Sequence, residues 1–199
     1  MANTIPSIAC LGVIGRNNNP LHITIFPSYN AATQSYAPAR TSLQFSLLLS
    51  GTLDIFESRS RSAATAGGPG GGSMLLSGDF GLLHAIDERL AAYGFETNTG
   101  VKFVAVVDMR GQVIAPKNAV AGGRGATAAG GAGVGLRDHE LKPIFRAMQT
   151  AYVRLLQNPF YDPDETIVPG GGAKRITSRK FGDEMRRIGE GWAPGVTSL

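Results

Sequence analysis

The chain has 199 residues, 43% of them hydrophobic, one cysteine and a formal net charge of +4. That content can bury one sizeable core in a single domain, 1–199, and Cys10 alone permits no disulfide framework, which suits a reducing compartment. No run of about 18 apolar residues occurs to make a membrane-spanning helix, and the apolar run 8–14 lacks the preceding positive charge of a signal peptide, so the sequence reads as cytosolic.

Residues 8–15 are apolar on both faces, which predicts a central strand with Cys10 as a buried small hydrophobe. A polar turn over 16–20 leads to a returning strand over 21–26. Leu43, Leu47, Leu48 and Phe56 predict a helix over 41–59, buried on a broad face. Three strands follow, around 80–86, 92–96 and 101–109; the last is β-branched, almost continuously apolar and the second central strand. Asp87 and Glu88 between the first two read as a charged turn, because adjacent carboxylates on a strand face opposite ways.

The stretch 136–161 predicts an uninterrupted amphipathic helix that ends in a four-residue motif. Leu141, Ile144, Phe145, Met148, Ala151, Tyr152, Leu155 and Leu156 fall on one stripe, Asp138 is the expected N-cap and Pro159 the stop. It runs into Asn158, Pro159, Phe160 and Tyr161. These also fit the N-P-x-Y pattern read by endocytic adaptors in flexible tails, but at the end of a packed helix Phe160 and Tyr161 are expected to be buried against the last helix. That last helix spans about 178–192, with Phe181, Met185, Ile188 and Trp192 as its stripe. The order β-β-α-β-β-β-α-α predicts an α+β fold: one mostly antiparallel five-stranded sheet flanked by three helices.

The 27 glycines exceed the ordinary share of about 7%. They cluster at 67–72, 122–135 and 170–172, which read as flexible loops. Charge is uneven too: residues 1–100 hold five basic against six acidic side chains, and residues 101–199 fourteen against nine. The densest patch sets Lys174, Arg175, Arg179, Lys180, Arg186 and Arg187 against Asp183 and Glu184. The first expectation for such a patch is a solvated helix face plus a basic loop; as a binding surface it suits phospholipid or an acidic protein. Nucleic acid is disfavoured, since aromatic and basic residues do not interleave on a strand.

Chemical motifs are weak throughout. Gly123, Gly125 and Ala128 meet a dinucleotide-binding pattern in form, yet they follow no strand directly and open no helix. The glycines at 170–172 lack the Gly-Lys-Ser/Thr of a phosphate loop. His22, His84 and His139 stand too far apart to suggest a metal site, and no nucleophile elbow is present. Neither catalytic residues nor a cofactor are expected.

Five segments carry a family resemblance: Thr52-Leu53-Asp54-Ile55-Phe56-Glu57, Val101-Lys102-Phe103-Val104-Ala105-Val106-Val107-Asp108, Leu136-Arg137-Asp138-His139-Glu140-Leu141, Asn158-Pro159-Phe160-Tyr161-Asp162-Pro163 and Ser178-Arg179-Lys180-Phe181-Gly182-Asp183. With them the chain resembles the sedlin family of TRAPP subunits, small proteins of longin-like (SNARE-like, profilin-like) fold. The segments around 62–78, 111–135 and 166–177 look like insertions where family members have short connections. The resemblance implies a non-catalytic adaptor in a TRAPP vesicle-tethering and Rab nucleotide-exchange complex, supporting TRAPP II assembly in ER–Golgi and intra-Golgi transport. Its implied partners are other TRAPP subunits, including the large TRAPP II subunits, and a Rab-type GTPase only through the assembled complex. Peripheral Golgi membrane contact would run through the basic 174–187 region. Asp54 matches a helix-one aspartate implicated in contacts with large subunits; its alternative role is a local cap or ion pair. A second functional reading is a free-standing longin-type regulator binding a SNARE, a small GTPase or anionic membrane.

Overall fold

The computed structural model describes residues 4–65, 78–113, 136, 138–161 and 175–199, with the side chains of 63–65, 138 and 139 left aside. Strands β1 (Thr4–Ile14), β2 (Pro20–Ile25), β5 (Asp79–Ala85), β6 (Leu90–Glu96) and β7 (Lys102–Val113) form one sheet in the order β2-β1-β7-β6-β5. Every neighbouring pair is antiparallel. Strands β3 (Pro27–Asn30) and β4 (Ser35–Pro38) make a separate hairpin, and the helices are α1 (Ser42–Thr65), α2 (Lys142–Leu156) and α3 (Arg179–Gly191).

β7 shows why its sequence is apolar throughout. Phe103, Ala105 and Val107 join the core under α2 and α3, while Val104 and Val106 join the core under α1. β1 does the same with two shifts in its register against β7, between Ile5 and Ser7 and between Ile8 and Cys10; at the second, Ala9 and Cys10 both join the α1 side. Burial pushes the Cys10 thiol up to about 12, which leaves it a small hydrophobe.

The helices bury most of the predicted stripe residues, but Leu43 and Leu47 on α1 and Leu156 on α2, expected in the core, are 71%, 65% and 41% exposed. α1 buries Phe45, Leu49, Thr52 and Phe56; α2 buries Ile144, Phe145, Met148, Ala151, Tyr152 and Leu155; α3 buries Phe181, Met185 and Ile188, with Trp192 buried just beyond it. α3 begins as expected, with the Ser178 hydroxyl accepting the Phe181 N–H at 3.4 Å. Gly189, absent from the predicted stripe, is also buried, and a Cβ there would collide with the Phe26 ring. Gly189→Ala is therefore expected to destabilise the fold by about 1–3 kcal/mol in denaturant unfolding, and Phe26→Leu in the same chain to recover part of the loss.

Four expectations need correction. The hairpin β3–β4 lies where the sequence offered no strand signal: its strands are four residues long, mostly exposed and bounded by Pro27 and Pro38. Tyr29 and Tyr36, paired across it with ring centroids 5.6 Å apart, and Asn30, whose side chain accepts the Ala32 N–H, hold it together. α1 continues to Thr65, past the predicted stop at 59 and into the segment expected to begin a loop at 62. β7 likewise runs to Val113, into the expected 111–135 loop, because Val113 still pairs with Thr4. The N-cap of α2 is Leu141 rather than Asp138. Pro143 lacks an N–H and its ring crowds the carbonyl four residues back, which suits a first-turn position, so the α-helix starts at Lys142 and residues Asp138–Leu141 form a 3-10 turn.

Candidate docking surface

α1 starts with a reciprocal cap: the Thr41 hydroxyl accepts the Gln44 N–H at 3.3 Å, and the Gln44 carboxamide accepts the Thr41 N–H at 2.9 Å. The helix is apolar on more than the face it buries. Leu43 and Leu47 are 71% and 65% exposed, and with Asp54 they are spaced by four and seven residues along one outward stripe. Asp54 is exposed in mid-helix, and among the described residues no hydrogen bond or ion pair engages its carboxylate. The alternative role of a local cap or ion pair therefore has no partner there. Beside the stripe lies a groove of about 520 Å³, walled by Leu47, Leu48, Ile55, Ile86 and Ala92, with Arg40, Gln44, Thr52 and His84 as polar lining. Its composition suits apolar side chains of a partner rather than a substrate.

One charged turn and an arginine of α1 position this face. The Asp87 carboxylate accepts the Arg89 and Leu90 N–H groups, each at 2.7 Å, and the Arg40 guanidinium at 2.9 Å, so the expected charged turn is built around Asp87. Burial raises its pKa, but Arg40 and the two amides outweigh burial and hold the carboxyl below its ordinary value. Arg89 in turn grips Asp108, which has no exposed side-chain surface, through Nε at 3.2 Å and Nη2 at 2.6 Å. It also donates to the Tyr29 carbonyl at 3.0 Å, tying the β3–β4 hairpin to the sheet. Arg59 of α1 donates to the carbonyls of Phe80 and Leu82, each at 2.7 Å, so the helix is fastened to the edge strand β5.

At the far end of α2, Asn158 makes the turn anticipated from its sequence. Its side-chain oxygen accepts the Phe160 N–H at 3.2 Å and its carbonyl accepts the Tyr161 N–H at 3.0 Å. Tyr161 is partly buried against the core. Phe160 is not: it is 92% exposed, contrary to the expected packing on the last helix. The turn reverses the chain after Pro159 and leaves only the next residue, Tyr161, in reach of the core.

Among the described residues no group of three or more His, Cys, Asp or Glu side chains gathers to hold a metal. The glycine patterns at 123–128 and 170–172, and Lys174, lie outside the described residues. His84 is exposed. His22, part-buried, is 2.9 Å from the Thr24 hydroxyl and meets the Phe181 ring edge-on at 5.2 Å. Burial lowers its pKa, offset only in part by a backbone hydrogen bond with Ile176. Neutral His22 is thus the form the fold prefers: its contribution is intact above the unfolded value near 6.5 and is lost as pH falls through the window below it. The melting temperature is expected to drop on acidification from about pH 7.5 to about pH 5.5, with a shallower slope in His22→Gln.

A five-stranded antiparallel sheet with one long helix on one face and two on the other defines a longin-like α+β module. A family model described as Sedlin matches residues 13–190, and the chain belongs to that family. Among curated proteins it is 25% identical over 182 residues to the trafficking protein particle complex subunit 2-like protein of Dictyostelium discoideum, covering 91% of this chain and 95% of that protein. It is 27% identical over 161 residues to the protein of the same name in Bos taurus, covering 79% and 86%. With its namesake in Rattus norvegicus it shares 27% identity over 172 residues, covering 85% and 94%.

Proposed function

We propose that this chain is a non-catalytic adaptor subunit of a trafficking protein particle (TRAPP) complex and that it docks on a large subunit of the TRAPP II form through α1. Its family and its relatives' names support the complex; the exposed stripe of Leu43, Leu47 and Asp54 beside an apolar groove is the observation that carries the docking role. An interface needs a few apolar anchors desolvated at its centre with charge at the rim, and this stripe offers both. In this role the chain acts in the cytoplasm at Golgi and ER–Golgi membranes and serves Rab nucleotide exchange through the assembled complex. Co-elution of the recombinant full chain with one large TRAPP subunit in size-exclusion chromatography is the expected result. Separate elution from every one of them would contradict the docking role.

We further propose that 1–199 is one domain with Gly-rich insertions that leave its core independent, since loop-closure entropy rises slowly with length. Deleting 114–135, beyond the last paired residue of β7, is expected to leave the melting temperature and subunit binding unchanged. Loss of folding would show that the insertion belongs to the core.

A further inference from the structure

We propose that the outward face of α2 and α3 is a docking surface for an anionic lipid bilayer, with Phe160 as its apolar wedge. The two helices run antiparallel side by side: Arg154 near the end of α2 pairs with Glu184 near the start of α3 at 3.0 Å, and the Trp192 indole beyond α3 donates to the Glu140 carbonyl before α2 at 3.1 Å. Their buried faces sit on the sheet, so their remaining side chains make one broad outer surface.

That surface is basic along its whole length. Lys142 and Arg146 on α2 and Arg179, Lys180, Arg186 and Arg187 on α3 are all exposed. The opposing carboxylates are fewer, and the Glu184 oxygen that meets Arg154 is also held by Arg187 at 2.9 Å, which turns it inward to pairing rather than outward to repel an anion. Asp183 and Glu190 are the exposed exceptions on α3.

Toward one end of this face three apolar side chains are exposed. Val153 and Leu156 on the last turns of α2 are 45% and 41% exposed, and Phe160 follows at 92%. The Asn158 hydrogen bonds already fix the turn that presents Phe160, so little backbone freedom remains to be lost on contact. The cations are spread over two helices, with Arg154 and Lys180 beside one open hollow and Arg186 and Arg187 beside another, and this spacing matches a diffuse anionic surface. A basic face plus an inserted apolar side chain are the two signals that together hold a peripheral protein on a bilayer. Among the described residues no helix is long and apolar enough to cross one. The face lies across the sheet from α1, so lipid and a large subunit can be engaged at once.

The test is sedimentation of the purified full chain with vesicles of phosphatidylcholine alone and with roughly 30% phosphatidylserine, over a salt series. Binding to the phosphatidylserine vesicles only, weakening as salt rises, is expected. Arg179→Glu with Lys180→Glu should lower it about tenfold or more, and Phe160→Ser should lower it several-fold without altering the salt dependence. Both sites are exposed, so melting temperatures should hold. In Phe160→Trp the indole emission should shift to the blue on binding; the buried Trp192 supplies a constant background. Absence of vesicle binding, equal binding to neutral vesicles, or binding that Phe160→Ser leaves unchanged would overturn the proposal. The first of these would point to an acidic protein as the occupant of this face.

Discussion

Arg89→Ala is expected to destabilise the protein by about 3 kcal/mol or more, the largest loss from any single surface-reaching side chain. The reason is asymmetry. The Arg89 side chain is 37% exposed and would cost little to lose on its own account, but the Asp108 carboxylate it holds is at 0%. Without the guanidinium, only the Arg110 N–H, at 2.9 Å, remains on a charge sealed from water. An exposed ion pair contributes about 0–1 kcal/mol, whereas an unpaired buried charge costs several times that, so burial of one partner decides the magnitude. Arg89 also releases the Tyr29 carbonyl, which should loosen the β3–β4 hairpin. Arg89→Met combined with Asp108→Asn should recover much of the loss, because the amide oxygen still accepts from Arg110 and no charge is stranded. Denaturant unfolding measures both variants; a loss under 1 kcal/mol for Arg89→Ala would mean that water reaches Asp108 readily.

Asp54→Tyr is expected to weaken binding to a large TRAPP subunit at least about tenfold, or about 1.4 kcal/mol, while the melting temperature moves by less than about 2 °C. The carboxylate is exposed and engaged by nothing described, so the fold barely senses its loss. A partner packed on Leu47 and Leu43 would sense it strongly: a bulky ring replaces a charge on the same stripe as two apolar anchors. Leu47→Asp should act in the same direction by placing a charge where the interface must be dry. Titration calorimetry against the isolated large subunit, paired with thermal melts, separates the outcomes. A stability loss that matches the binding loss would make Asp54 a structural residue.

Much of the architecture was legible because hydrophobic period is set by which faces are covered. β7 reads as continuously apolar since helices cover both of its sides, and α3 reads cleanly since one face meets the sheet and the other meets water. What escaped detection depends on geometry between distant segments. The β3–β4 hairpin buries little and is held by a tyrosine pair across the strands, which periodicity cannot register. Gly189 matters through its approach to Phe26, far away in the chain. Pro143 was visible, and its conflict with the carbonyl four residues back could have placed the α2 start correctly. Asp108 carried a signal too: a lone carboxylate ending an apolar strand needs a cation, and the β6–β7 register, with Leu90 opposite Asp108, brings Arg89 to it. The fate of Phe160 was hidden, because a turn residue's exposure depends on how tightly the turn closes. On α1 the sequence marked Asp54 through family likeness alone, and its neighbours Leu43 and Leu47 were assigned to the core; only the packing of Phe45 and Leu49 beneath them shows that they face outward.

The most direct measurement is affinity purification of the tagged full chain from its native cytosol at moderate salt, with mass spectrometry of what stays bound and Leu47→Asp run in parallel. A stoichiometric set of TRAPP subunits including the large ones of TRAPP II, with the large subunits depleted in the Leu47→Asp sample, is the predicted result. Recovery of only a SNARE or a small GTPase, or of no partner, would contradict the adaptor function and favour a free-standing longin-type regulator.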